Sequence, residues 1–171
     1  MSVGTLRFAH PTNLPAVIAS EAKLLAMTAE PEFEKDITMA SIHKEIIIDA
    51  SPADVWDALR DFGALHTRLV PGFVTDTKLD GDARIVTFAN GTVAREVLVD
   101  CDDKRRRLVY AIKSERLTQH SASAQVFPEG ETRSRFVWIA DVLPHEFATY
   151  MEGQMELGLA AMHKSLGRKA A

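Results

Sequence analysis

The chain has a single cysteine, Cys101, among its 171 residues. A lone thiol closes no internal disulfide and, without companions, builds no thiolate metal site, so packing must hold the fold together and a reducing, cytoplasmic compartment is expected. Long apolar runs are missing as well: none approaches the roughly 20 residues needed to span a bilayer. The first forty residues lack the basic start, apolar stretch and small-residue cleavage site of a secretory signal. A soluble protein without integral membrane association is therefore expected. Nor is there an excess of positive charge. Twenty Lys and Arg stand against 24 Asp and Glu, a net charge of -4, which argues against a chain built to wrap phosphate backbones and predicts no nucleic-acid partner.

Motifs that would supply metal or nucleotide chemistry are incomplete or missing. His145-Glu146 matches the start of a zinc-protease helix motif, but the position four residues after His145 is Thr149, so the second imidazole of that face is lacking. Asp80-Gly81-Asp82 lacks the further oxygen ligands of a calcium loop and reads as a hairpin turn. The sequence contains neither a Gly-rich phosphate loop nor a G-x-S-x-G nucleophile elbow. No metal and no cofactor are expected. Lys104 to Arg107 form one basic run, nearly cancelled by Asp100, Asp102 and Asp103, and read as a solvated hairpin.

What is present suits one globular core, with 46% hydrophobic and 26% charged residues. Residues 1–38 differ from the rest. Pro11, Pro15 and Pro31 break them up, and Val17, Ile18, Leu24 and Leu25 offer a weak apolar face for one short helix between Pro15 and Ala29. This stretch reads as a flexible extension, a docked helix, or a product of start-site choice with Met39 as the biological start. The domain proper is expected over residues 39–171.

From Ser41 the pattern is regular. The β-branched run through Ile42, Ile46, Ile47 and Ile48 predicts a strand over 41–49. Ser51-Pro52-Ala53-Asp54 then carries a cap, a first-turn proline and an acid at the positive end of a helix. Val55, Trp56 and Leu59 give that helix its apolar face, and a second short helix or turn runs from Ala64 to Val70 before Pro71-Gly72. Six further strands are expected at 73–79, 83–89, 93–99, 108–113, 121–127 and 133–142. Asp80-Gly81 and Asn90-Gly91 suit tight two-residue hairpins between antiparallel neighbours. After Pro144, Phe147, Met151, Met155, Leu159, Met162 and Leu166 step down one face of a long helix. Gly153 and Gly158 inside it each cost about 1 kcal/mol relative to Ala, which points to a close approach to the sheet.

This order predicts an α+β fold in which a seven-stranded curved antiparallel sheet wraps a long C-terminal helix, with two short helices after the first strand. The stretch from Ile46 to Phe62, IIIDASPADVWDALRDF, resembles the opening of the START-like, or SRPBCC, superfamily, and within it the polyketide cyclase/dehydrase and lipid-transport family. The resemblance continues through Arg95-Glu96, Arg107-Leu108-Val109-Tyr110 and Arg135-Phe136-Val137-Trp138, covering about residues 41–167. It implies a helix-grip scaffold with an apolar ligand cavity between sheet and terminal helix, and a small hydrophobic or amphipathic partner such as a lipid, quinone or polyketide. Many relatives carry a Trp before the proline that follows the short helices. Here that stretch is His66-Thr67-Arg68-Leu69-Val70-Pro71, so a more basic cavity mouth is expected.

The candidate ligand contacts follow. Met151, Met155 and Met162 offer adaptable thioethers on the terminal helix, and Phe88, Tyr110 and Trp138 are aromatic wall candidates, each weighed against ordinary core packing. His66 and Arg68 follow the short helices where the family opens its cavity, and His66 is a candidate proton donor. Arg95 alternates with Val93, Val97 and Val99, while Glu96 alternates with Ala94 and Leu98, so one of the two must face the concave side and needs a partner there. Arg95, as the inward residue, would hold a ligand carboxylate, phosphate or phenol. His120 with Ser121 and Ser123 forms a weaker polar cluster. The leading functional reading is a carrier or sensor, monomeric or homodimeric. The alternatives are a cyclase or dehydratase with His66, Arg95 or Glu96 moving a proton, and an interaction module whose cavity is filled by its own side chains.

Overall fold

The computed structural model describes residues 38–167, so the helix expected between Pro15 and Ala29 lies outside the described residues. Strand β1 (Ala40–Ile48) buries Ile42 and Ile48 on one face and turns Ile47 outward, as the period of two requires. Helix α1 (Pro52–Arg60) begins where the sequence signals it: the Asp54 N–H donates to Ser51 Oγ at 3.1 Å. It buries Val55, Trp56, Ala58 and Leu59, and the Trp56 indole N–H donates to Asp103 Oδ1 at 2.9 Å. The second short element is a single π-helical turn (Leu65–Leu69), in which the Val70 N–H reaches back to the Leu65 carbonyl at 3.0 Å. That wider turn puts Leu65 and Leu69 into the core together.

Strands β2 (Val74–Asp80), β3 (Ala83–Phe88), β4 (Val93–Asp102), β5 (Arg107–Lys113), β6 (Gln119–Pro128) and β7 (Ser134–Leu143) follow. All seven pair antiparallel in one sheet, ordered β1-β7-β6-β5-β4-β3-β2. The chain thus builds a meander from β2 to β7 and places β1 against the last strand, with Ile48 opposite Ser134. The connections differ from the expected pair of tight turns at one point. Asp80 does pair with Ala83 across a two-residue turn whose Gly81 has φ +63°. The next turn is three residues long: the Phe88 N–H donates to the Thr92 carbonyl and the Gly91 N–H to the Phe88 carbonyl, both at 2.9 Å, with Gly91 at φ +83°. This one-residue difference sets which side chains meet across β3 and β4.

Helix α2 (Ala148–Leu166) lies across the concave face and buries Met155, Leu159, Met162 and Leu166. Gly158 allows the close approach, because a Cβ there would stand 3.1 Å from the Trp138 ring and 3.3 Å from Phe73. Gly153 has no such neighbour. Lys44 on β1 bridges Glu152 and Glu156 at 2.5 and 2.8 Å, and the Ser165 hydroxyl donates to the Leu69 carbonyl at 2.8 Å. The helix is thereby tied to the sheet edge near its start and to the π-helical turn near its end.

Candidate functional site

The concave face carries a polar group that its apolar neighbours do not explain. Arg84 on β3 stands directly opposite Glu96 on β4. Its Nε–H donates to Glu96 Oε2 at 2.7 Å, and Nη2 lies 2.6 Å from the same oxygen. The two side chains are 6% and 5% exposed. A charge buried alone would cost many kcal/mol, so each of these groups needs the other as its partner inside the fold. The rest of the guanidinium is also satisfied: Nη1 donates to the Phe62 carbonyl at 3.1 Å, and the cation sits 4.1 Å above the Phe62 ring.

Tyr110 and Trp138 enter the same space from β5 and β7. Small residues make room for them, since Tyr110 pairs with Ala122 and Trp138 with Ala124, and both alanines are buried. Burial, and after it the nearby Glu96 charge, push the Tyr110 phenol far up, so it remains a protonated donor. The Trp138 indole N–H is buried beside the Tyr110 hydroxyl without completing a hydrogen bond of good geometry.

Around these groups lies a cavity of about 80 Å³. Arg84, Glu96, Tyr110 and Gln154 are its polar edges, and Leu65, Leu69, Phe73, Phe136 and Met162 are among its apolar walls. Phe88, Ile112, Met151 and Gln154 also wall an outer cleft of about 590 Å³ between the tip of β3–β4, the β5–β6 loop and the start of α2. Lys113 and Arg116 stand on that cleft, beside Phe147 and the half-exposed Tyr150.

Of the residues expected from the sequence, Phe88, Glu96, Tyr110, Trp138, Met151 and Met162 line this cavity. The others sit elsewhere. Arg95 is on the opposite face, 38% exposed, with its Nε–H donating to Asp80 Oδ2 at 2.9 Å. The inward polar residue of β4 is therefore Glu96, and its partner Arg84 was not among the candidates. Arg68 is held at the surface between Asp57 and Asp61, at 2.5 and 2.9 Å, and does not reach the cavity. His66 shares the π-helical turn with Leu65 and Leu69 but does not line the cavity they line, and its Nδ1 is buried without a partner. Met155 is 1% exposed and packs in the core beside the cavity instead of lining it. His120 is buried against Tyr110, ring centroids 5.9 Å apart, and its Nδ1 accepts the Ile112 N–H at 3.1 Å. The basic residues at the cleft are thus Lys113 and Arg116, not His66 and Arg68. Among the described residues no cluster of His, Cys, Asp and Glu is arranged to hold a metal ion, and no helix is long and apolar enough to cross a membrane.

Residues 39–167 match the polyketide cyclase/dehydrase and lipid transport family. No curated protein matches the chain. Solved structures share the fold. The protein XoxI from Bacillus cereus is 23% identical with a TM-score of 0.67, covering 74% of this chain and 95% of its own. Norcoclaurine synthase from Thalictrum flavum, in complex with dopamine and hydroxybenzaldehyde, is 20% identical with a TM-score of 0.62, covering 78% and 90%. A START superfamily protein from Mycobacterium smegmatis is 13% identical with a TM-score of 0.61, covering 74% and 96%.

Proposed function

This chain belongs to the polyketide cyclase/dehydrase and lipid transport family, and from that premise we propose that it binds a small hydrophobic or amphipathic molecule as a carrier or sensor. The observation that carries this reading is the shared wall. Phe88, Ile112, Met151 and Gln154 belong to both the inner cavity and the outer cleft. The inner space of about 80 Å³ holds one end of a ligand. A drug-sized molecule needs roughly 300–1,000 Å³, which the adjoining cleft of about 590 Å³ supplies. The largely apolar walls favour hydrocarbon or aromatic surface by about 25 cal/mol per Å² removed from water. Proton transfer is less well served, because general acid–base catalysis works best with a group titrating near the working pH. Tyr110 is pushed far above that range, and Glu96 is occupied by Arg84.

The test pairs native mass spectrometry and organic extraction of the purified protein with titration by N-phenyl-1-naphthylamine, a neutral apolar fluorophore. An apolar passenger or saturable one-to-one probe uptake is expected. Met151→Trp, which fills the junction of cavity and cleft, should weaken the probe at least tenfold while leaving the circular dichroism spectrum unchanged. A protein that carries nothing and takes up no probe would overturn the reading.

A further inference from the structure

The chemistry at the inner end of the cavity is more specific than its apolar walls require. Both Arg84 nitrogens that meet Glu96 converge on Oε2, leaving Oε1 as the oxygen available to a further donor. Opposite in character is the Trp138 Nε1–H, buried beside the Tyr110 hydroxyl without completing a hydrogen bond of good geometry. Buried polar atoms in native proteins are nearly always paired, so an orphan donor lining a ligand cavity points to a group that completes it. Tyr110 contributes a hydroxyl at the same place, and its phenol stays protonated over the whole physiological range.

We propose that this cluster is a hydroxyl-recognition site: the ligand enters with a neutral phenolic or alcoholic OH at its buried end, accepting from Trp138 and Tyr110 and donating to Glu96. This rests on the ligand-binding reading above and narrows it. A hydroxyl is the simplest group that accepts and donates at one atom. A carboxylate does not fit, because it would bring a second negative charge beside Glu96 into a space with low dielectric, where the Arg84 guanidinium is already paired. A plain hydrocarbon would leave the Trp138 N–H unpaired. The cluster therefore ranks ligands in the order neutral hydroxyl, hydrocarbon, carboxylate, opposite to the acidic preference expected had Arg95 faced inward.

Three probes of one shape test this: 2-naphthol, naphthalene and 2-naphthoate, each competed against N-phenyl-1-naphthylamine on the full chain. A buried hydrogen bond is worth about 0.5–1.5 kcal/mol net, or roughly two- to tenfold in affinity each. Two or more such bonds predict that 2-naphthol displaces the fluorophore at least about fourfold more tightly than naphthalene, with 2-naphthoate the weakest. Tyr110→Phe and Trp138→Phe should each cut the ratio of naphthol to naphthalene affinity several-fold. Equal binding of naphthol and naphthalene, tightest binding by naphthoate, or a preference that survives both substitutions would overturn the inference. So would a bound fluorophore that none of the three displaces, in which case the proposed function stands without it. A fluorophore that does not bind at all removes both.

Discussion

At the scale of single residues, the described part of the molecule buries a neutral imidazole besides the Arg84–Glu96 pair. His120 accepts the Ile112 N–H at Nδ1, which places its ring proton on Nε2. Burial depresses it from 6.5 to about 4, against a weaker opposing pull from Asp141. A depressed histidine means that the unfolded chain takes up a proton first as the pH falls. Its contribution is therefore constant above about pH 6.5 and becomes increasingly destabilising as the pH drops towards 4. Urea unfolding of the parent and of His120→Asn should show curves that converge below pH 6.5, the parent losing on the order of 2 kcal/mol relative to the variant by pH 4.5. Parallel curves would count against a buried neutral ring. The ion pair was half legible in the sequence: alternation required one of Arg95 and Glu96 to face inward but could not choose. The choice turns on the hairpin at Asn90-Gly91. A two-residue turn there would set Arg84 opposite Val97, whereas the three-residue turn sets it opposite Glu96. Both turn types accept the same Asn-Gly dipeptide, so composition alone leaves the register open by one residue, and one residue exchanges the faces of a strand.

At the scale of elements, the seven strands and the terminal helix were readable because turn residues bound the β-branched and aromatic runs of the strands, and the helix repeats its apolar residues at about 3.6. What escaped were the irregular parts. The π-helical turn over Leu65–Leu69 looks like an ordinary short helix in sequence, since both need the same leucines, and only the Val70 to Leu65 bond distinguishes them. The two glycines of α2 separate two causes that sequence joins together. A methyl group at Gly153 meets nothing within 4 Å, while one at Gly158 presses on Trp138 and Phe73. Gly153→Ala should therefore raise stability by about 0.5–1 kcal/mol through helix propensity and reduced unfolded-state entropy. Gly158→Val should lower it by about 1–3 kcal/mol through overpacking against the cavity's own tryptophan. Thermal melts of the two variants check this pair. If both stabilised the protein, the close approach of α2 to the sheet would not be what Gly158 is for.

At the scale of the whole molecule, the cavity belongs to no one element. Leu65 comes from the π-helical turn, Val74 from β2, Phe88 from β3, Glu96 from β4, Tyr110 from β5, Ala124 from β6, Trp138 from β7 and Met151 from α2. Such a site exists only when the sheet is assembled and the helix is seated across it, so a ligand held there binds the native state and not the unfolded chain. Mass action then ties occupancy to global stability: at a free ligand concentration one hundred times Kd the native state gains about 2.7 kcal/mol. For an ordered domain of this size that is a rise in Tm of several degrees. N-phenyl-1-naphthylamine should raise the melting temperature of the parent progressively with concentration, following the dissociation constant measured by its fluorescence. Met151→Trp should melt near the parent without probe and gain almost nothing with it, because the indole takes the space where cavity and cleft meet. An equal rise in both proteins would place the probe on some other surface. Uptake with no rise at all would mean that the probe binds the unfolded chain as well as the folded one, and a cavity assembled from so many separate elements cannot do that.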